Sequence, residues 1–291
     1  LYPFSLGEPE TFLKSKHIHL SRSHITQLYM VMGGIPMYLN QVQSGLSAVQ
    51  NIQSICFERN GYLRKEFDRL FVSLFDNASN HIEIIRALAN KKIGMTREEI
   101  IAKTKFSNGG MLTTILSELA ESGFIEQYNG YGKKTRNQLY RLSDPYSLFY
   151  LTFLEQLGAN ANSDFMRLSD LPNYKSWSGY AFENICLMHI DQIRKSLGIA
   201  GIYTTVSTFF AKAQNEVSGA QIDLIIDRSD HSIKICEIKF SQGVYSVTKQ
   251  TVANIENKKR VFQHHTKTKK HLFTTLITTF GVSDNAHKLN H

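Results

Sequence analysis

The sequence predicts a multidomain protein in which an all-α region precedes a helix-turn-helix segment with two strands, and an α/β domain comes last. Three observations predict this class. Apolar residues recur at helical spacing over residues 1–76, two alternating strands follow three helical runs over 77–143, and a helix, a strand, a hairpin, a helix and a strand succeed one another within 177–291. The length of 291 residues suits two or three domains, with a connector over 144–176.

The all-α region is predicted from two apolar stripes. Ile25, Leu28 and Met32 follow a period of 3.6 residues, and Gly33-Gly34-Ile35-Pro36 ends that helix. A second stripe runs from Leu63 to Phe75, so we expect further helices there.

Residues 77–143 are predicted to form a winged helix. Thr96 and Glu99 form a capping box that opens its second helix, and its third helix covers 108–121. The two strands enclose a glycine-rich basic loop, the wing, with Lys133, Lys134 and Arg136. Because the third helix has no lysine or arginine, we expect the wing to contact phosphates without base readout. The alternative is a protein-docking or structural connector.

The connector is predicted to start as a helix and to end as a linker. Asp144 suits the N-cap position and Pro145 the first helical position. The polar, mixed composition of 157–176 predicts a linker.

A β-hairpin is predicted from Gln221 to Lys239. Strict alternation would put Ile222, Leu224 and Ile226 on one face of its first strand, and Asp223 and Ile225 on the other. A turn centred on Asp230 would bring Asp223 opposite Glu237, with Lys239 on the same face as Glu237.

Two carboxylates this close repel each other, so we expect a cation near Asp223 and Glu237 and a raised pKa for at least one carboxylate of this cluster in the metal-free protein. Mg²⁺ (or Mn²⁺) and the ammonium group of Lys239 would supply the positive charge. Such a metal polarises a scissile phosphate and activates water, and Lys239 would orient that water or stabilise charge on the phosphate.

These residues resemble the motif of the PD-(D/E)xK nuclease fold, with Asp223 on one strand and Glu237-Ile238-Lys239 on the next. Ile222 stands where the motif has its proline. The resemblance implies a further acidic residue on a preceding helix, and Glu183 fits that place as a third catalytic or metal-binding residue. The alternative is a polar strand edge with a solvated ion pair.

The whole chain resembles the C-terminal part of a prokaryotic, archaeal-type family of predicted AAA+ ATPases. The residues that carry this resemblance are Pro3-Phe4-Ser5-Leu6, Gly33-Gly34-Ile35-Pro36-Met37-Tyr38-Leu39, Gly123-Phe124-Ile125, Tyr140-Arg141-Leu142-Ser143-Asp144, Phe149-Tyr150, the hairpin strands and Phe280-Gly281. The resemblance implies an all-α helical lid, a winged helix-turn-helix and an α/β restriction-endonuclease-like domain.

In that family an ATP-binding core precedes the lid. This chain contains no G-x-x-x-x-G-K-[ST] phosphate loop, so we expect it neither to bind nor to hydrolyse ATP. ATP would belong only to a preceding core, which the resemblance makes an expected partner. Because the chain begins at Leu1 without a methionine, we expect it to be a piece of a longer protein.

The charge of the chain favours an anionic partner. Its formal net charge is +8 and its isoelectric point about 9.2, which suits DNA, with RNA as an alternative. The segment 254–271 holds six lysine and arginine residues against one acid, and Lys258, Lys259 and Arg260 are candidate phosphate contacts. The alternative is a solvated helix face.

Three widely spaced cysteines, no signal peptide and no apolar run of membrane-spanning length predict a cytoplasmic protein without a membrane partner. The leading functional hypothesis is a DNA-binding, metal-dependent nuclease. The alternative is a non-catalytic regulatory or interaction module that couples a separate ATPase core to a protein or nucleic-acid partner.

Overall fold

Helices occupy the chain as far as residue 121, and strands first occur after it. The structure, a computed structural model, describes residues 3–133, 138–157, 164–213 and 218–285. The predicted wing residues Lys134 and Arg136 therefore lie outside the described residues. Within the described residues, no helix is both long enough and apolar enough to cross a membrane.

The all-α prediction for the first region is confirmed. Its α-helices are α1 (Glu8–Ser15), α2 (Arg22–Met32), α3 (Pro36–Leu39), α4 (Ala48–Ile52) and α5 (Glu66–Leu74). A π-helical segment, Gln53–Phe57, follows α4, and a 3₁₀ segment, Tyr62–Lys65, precedes α5.

The Gly-Gly-Ile-Pro sequence ends α2, as predicted, and has a second role that periodicity did not show. Gly33 has a φ of 64°, which favours glycine. The backbone of Phe4 lies directly against Gly34, and the Phe4 N–H donates to the Gly34 carbonyl over 2.8 Å. The Tyr29 hydroxyl donates to the Phe4 carbonyl over 2.6 Å. Gly34 is therefore required by close backbone packing.

Replacing Gly34 by alanine is expected to destabilise the protein by about 1–3 kcal/mol or more, because this is the usual cost of overpacking. A Cβ at this position would lie 2.7 Å from the Phe4 backbone nitrogen, so backbone must move. Thermal unfolding checks this, with Gly110→Ala as the control because that Cβ would meet nothing within 4 Å. Equal melting temperatures for the two variants would contradict the packing argument.

The next segment contains the predicted three helices and two strands. They are α6 (Ala78–Ala89), α7 (Arg97–Thr104), α8 (Gly110–Glu121), β1 (Ile125–Tyr128) and β2 (Leu139–Leu142). The capping box is confirmed, since the Thr96 side chain accepts from the Glu99 N–H and the Glu99 side chain accepts from the Thr96 N–H. β1 and β2 form a two-stranded sheet.

The connector is more structured than its composition indicated. Asp144 is the N-cap of α9 (Pro145–Phe149), as predicted, and a π-helical segment, Tyr150–Leu154, continues it. The stretch predicted as a linker contains α10 (Phe165–Ser169) and the start of α11 (Pro172–Met188). Phe165 is fully buried and stacks on Phe57 with the ring centroids 5.3 Å apart, so aromatic packing holds α10 in place.

The C-terminal α/β architecture is confirmed at the level of its elements. After α12 (Ile190–Ser196) come β3 (Thr204–Ala211), β4 (Ala220–Arg228), β5 (Ser232–Lys239), α13 (Lys249–Thr266) and β6 (His271–Thr278). The sheet has the order β3-β4-β5-β6, in which β4 is antiparallel to both β3 and β5, and β6 is parallel to β5. Val261 and Phe262 of α13 pack into the core on one face of this sheet.

The chain divides into two compact units. One comprises Leu1–Gln127 with Tyr140–Ile185, and the other Tyr128–Leu139 with Cys186–His291. The described part of the loop between β1 and β2 thus belongs with the four-stranded sheet. The lid, winged-helix, connector and nuclease-like ranges stay predictions.

Candidate functional site

The register of the hairpin formed by β4 and β5 agrees with the predicted one. Leu224 pairs with Cys236 and Ile225 with Ile235, which confirms a turn centred on Asp230. Asp223 and Glu237 are the next positions beyond the last of these pairs on β4 and β5.

A β-bulge interrupts β4 at the candidate site. Ser207 pairs with Ile225 while Phe209 pairs with Ile222, so Asp223 and Leu224 together stand opposite the single residue Thr208. The predicted strict alternation is therefore wrong here: Ile222 and Ile225 belong to the same core cluster. A bulge adds one residue and re-aims the side chains beside it, and bulges are frequent next to functional sites.

Glu237 is the centre of a buried charge cluster. Its side chain is 7% exposed, and its two carboxylate oxygens accept from two different lysines. The Lys239 Nζ lies 2.8 Å from Oε1, and the Lys258 Nζ lies 2.6 Å from Oε2. The predicted association of Glu237 with Lys239 is present, and Lys258 of α13 joins it.

The electrostatics of this cluster differ from the expectation of repelling carboxylates. Burial acts to raise the pKa of Glu237, but the nearby Lys258 and Lys239 ammonium groups outweigh it and hold that pKa below its ordinary value. Burial likewise acts to lower the pKa of Lys239, yet its hydrogen bond to Glu237 raises it. For Glu237 the shift is thus opposite to the one predicted for this cluster, because two cations surround it.

Asp223 lies close enough to this cluster to influence it. Burial acts to lower the pKa of Lys239, and Glu237, Tyr245 and then Asp223 act to raise it, so Asp223 makes the weakest of these contributions. One oxygen of Asp223 accepts from the Gln221 side-chain amide over 2.8 Å. Asp223 therefore retains an oxygen for which the described residues show no hydrogen bond.

Glu183, the predicted third acidic residue, is half-buried on α11. It falls in the first unit, whereas Asp223, Glu237 and Lys239 fall in the second. Among the described residues, no three His, Cys, Asp or Glu side chains form a group that could hold a metal ion. A role for Glu183 at the site stays a prediction.

Asp223 and Glu237 fit Mg²⁺ by donor type, because both offer the carboxylate oxygens that this ion prefers. Both oxygens of Glu237 are engaged by ammonium groups. A cation bound at Glu237 would therefore replace one of the two lysines. Lys258 is the partner that the nuclease motif does not include.

The described part of the loop between β1 and β2 packs against other residues of the second unit. The Tyr131 N–H donates to the Thr208 carbonyl over 2.7 Å, and the Tyr131 ring packs edge-on against Phe262 at 4.8 Å. The Tyr131 hydroxyl donates to Asp227, whose other oxygen accepts from Lys270 over 2.5 Å. This second polar cluster was not predicted.

The candidate phosphate contacts differ in their environments. Lys133 is exposed at the described edge of the loop. Lys259 is paired with Glu256 over 3.0 Å, and Arg260 is exposed and donates to the Asn257 side chain. Lys258, by contrast, is 19% exposed and bound to Glu237, so it is not part of a solvated basic face.

Lys258 could have been recognised in the sequence. It lies on the same helical face as the buried residues Ile255 and Phe262, at spacings of three and four. A lysine within an apolar stripe indicates a buried acidic partner. Because Lys258 stands in a run of basic residues, the sequence predicted a phosphate contact for it instead.

Comparisons with known proteins reveal little similarity. No family model matches the chain, and no curated protein matches it. Among solved structures, a Walker-type ATPase of Pyrococcus abyssi is similar at 16% sequence identity, with a TM-score of 0.32. The match covers 51% of this chain and 42% of that one, so the chain spans less than half the length of the ATPase.

Proposed function

We propose that this protein binds DNA and that its C-terminal unit is a metal-dependent nuclease of the PD-(D/E)xK type. The observation that carries the proposal is the hairpin. Its register puts Asp223 and Glu237 at corresponding positions on adjacent strands, with Lys239 bound to Glu237. Carboxylates that can hold a metal ion, beside a lysine that can stabilise negative charge, are residue types that suit metal-assisted phosphodiester hydrolysis.

In this proposal, Asp223 and Glu237 would hold the cation, which would polarise the scissile phosphate and lower the pKa of a water molecule. The Lys239 side chain is 40% exposed, so it can bind Glu237 and still meet an incoming phosphate. Lys239 orients the attacking water or stabilises negative charge on the phosphate. We further propose a cytoplasmic setting, which is consistent with three free, buried cysteines.

The test is nicking of supercoiled plasmid DNA with Mg²⁺ or Mn²⁺. Glu237→Gln and Lys239→Met are each expected to reduce the rate at least 100-fold, because each removes a group that acts on the metal or the phosphate. Lys234→Met is the matched control. Lys234 lies on the same strand at opposite parity and contacts the Phe273 ring, so its loss should leave nicking unchanged. Nicking that survives both site variants would contradict the assignment.

The ion pair between Lys258 and Glu237 favours a second candidate, a non-catalytic module that binds a protein or nucleic acid for a separate ATPase core. In this case the lysine permanently neutralises Glu237. Melting temperatures with and without Mn²⁺ discriminate the two candidates. A nuclease should be stabilised by the metal, whereas a module should show neither a shift nor nicking.

A further inference from the structure

A basic pocket lies in the second unit, between the second half of α13 and the loop that leads into β6. Its volume is about 420 Å³, within the range of small-ligand sites. Lys259, Arg260, Lys269 and Lys270 contribute four cationic side chains to its lining, against the single carboxylate of Glu256. It is therefore a positively charged concavity on the surface of this unit.

Neighbouring groups hold several of these cations in place. The Lys270 Nζ donates to Asp227 over 2.5 Å and to the Arg228 carbonyl over 3.3 Å, and the Tyr131 hydroxyl binds the other oxygen of Asp227. The Arg260 guanidinium donates to the Asn257 side chain over 2.8 Å. An anion entering the pocket thus meets cations that need little reorganisation.

Two of the cations have no acidic partner to offset their charge. Within the described ranges, neither Arg260 nor Lys269 forms an ion pair with a carboxylate, and both are exposed. Lys259 and Lys270, in contrast, are paired with Glu256 and Asp227. The uncompensated charge of the pocket is therefore concentrated on Arg260 and Lys269.

We propose that this pocket binds phosphate groups. Gln263 and Thr268 add uncharged hydrogen-bonding groups to its lining, while Phe, Tyr and Trp rings, on which nucleobases stack, are absent from its lining in the described structure. This combination favours phosphates over bases. The proposal rests on the proposed function in one respect, which is that the backbone of a nucleic acid supplies these phosphates.

The test compares two double variants by fluorescence anisotropy with a labelled DNA duplex. Arg260→Gln with Lys269→Gln removes the uncompensated pocket charges. Lys195→Gln with Lys249→Gln removes two exposed charges of the same unit outside the pocket. The pocket variant is expected to raise Kd roughly tenfold or more on every sequence, and to reduce the slope of log affinity against log salt by about 0.9 for each phosphate that is no longer neutralised. The control should change Kd less than about threefold.

A second measurement distinguishes the source of the phosphate. Inorganic pyrophosphate should raise the melting temperature of the wild type and of the control, and not that of the pocket variant. If pyrophosphate stabilises the wild type and the control but not the pocket variant, while both variants bind DNA with equal affinity, the pocket binds free phosphates. If neither measurement separates the pocket variant from the control, the proposal is overturned. Neither requires cleavage, so an absence of nicking would reject the nuclease and leave the pocket assignment standing.

Discussion

Replacing Glu237 by glutamine is expected to lower the free energy of unfolding by about 2 kcal/mol at pH 7. Loss of one member of a buried ion pair commonly costs about 3–5 kcal/mol, but Lys258 and Lys239 are 19% and 40% exposed and can partly turn towards water. Glutamine keeps the shape of the side chain, so the loss reports the charge. Urea unfolding measures it.

The effect should depend on pH in one direction. Glu237 has a pKa below its ordinary value of 4.5 in the folded protein, so its charge contributes stability above pH 4.5. That contribution is lost as the pH falls through the folded pKa. Wild type and Glu237→Gln should therefore converge in stability in acid.

Glu256→Gln is the control for this prediction, because Glu256 is 58% exposed in its pair with Lys259. Exposed ion pairs contribute little, so we expect a loss below about 1 kcal/mol. If the Glu237→Gln variant is as stable as the wild type at pH 7, the ion pairs of Glu237 with the two lysines do not stabilise the folded protein.

Replacing Phe149 by alanine is expected to have a larger effect, a loss of about 3–5 kcal/mol. Phe149 is fully buried, and its ring packs against Trp177 and Phe153 with centroid distances of 5.2 Å to each. The ring centroids of Phe57 and Phe165 each lie 6.0 Å from that of Phe149. The resulting cavity would lie among rigid rings that cannot readily fill it.

Thermal unfolding monitored by near-ultraviolet circular dichroism checks this prediction, because the signal of Trp177 reports the packing around Phe149. Phe210→Ala is the matched control, since that ring is 55% exposed, and its loss should change stability by less than about 0.5 kcal/mol. If the two variants unfold at the same temperature, this aromatic cluster contributes little to the stability of the first unit.

The sequence by itself determined the features that depend on neighbouring residues. The Thr96 capping box, the Asp144 N-cap and the end of α2 before Gly33 were all predictable, because caps and breakers act within one helical turn. The hairpin register was predictable as well, since two apolar strands joined by the short turn around Asp230 can pair in phase in few ways.

Only the tertiary structure decided the environment of the candidate site. The bulge at Asp223 depends on how β4 pairs with β3, which strand periodicity does not encode. The pairing of Glu237 with Lys258 joins β5 to a helix beyond it in the chain, and Tyr131 reaches Asp227 across 96 positions. Such contacts form because buried charges and hydroxyls need partners, and the partner is chosen by which elements pack together.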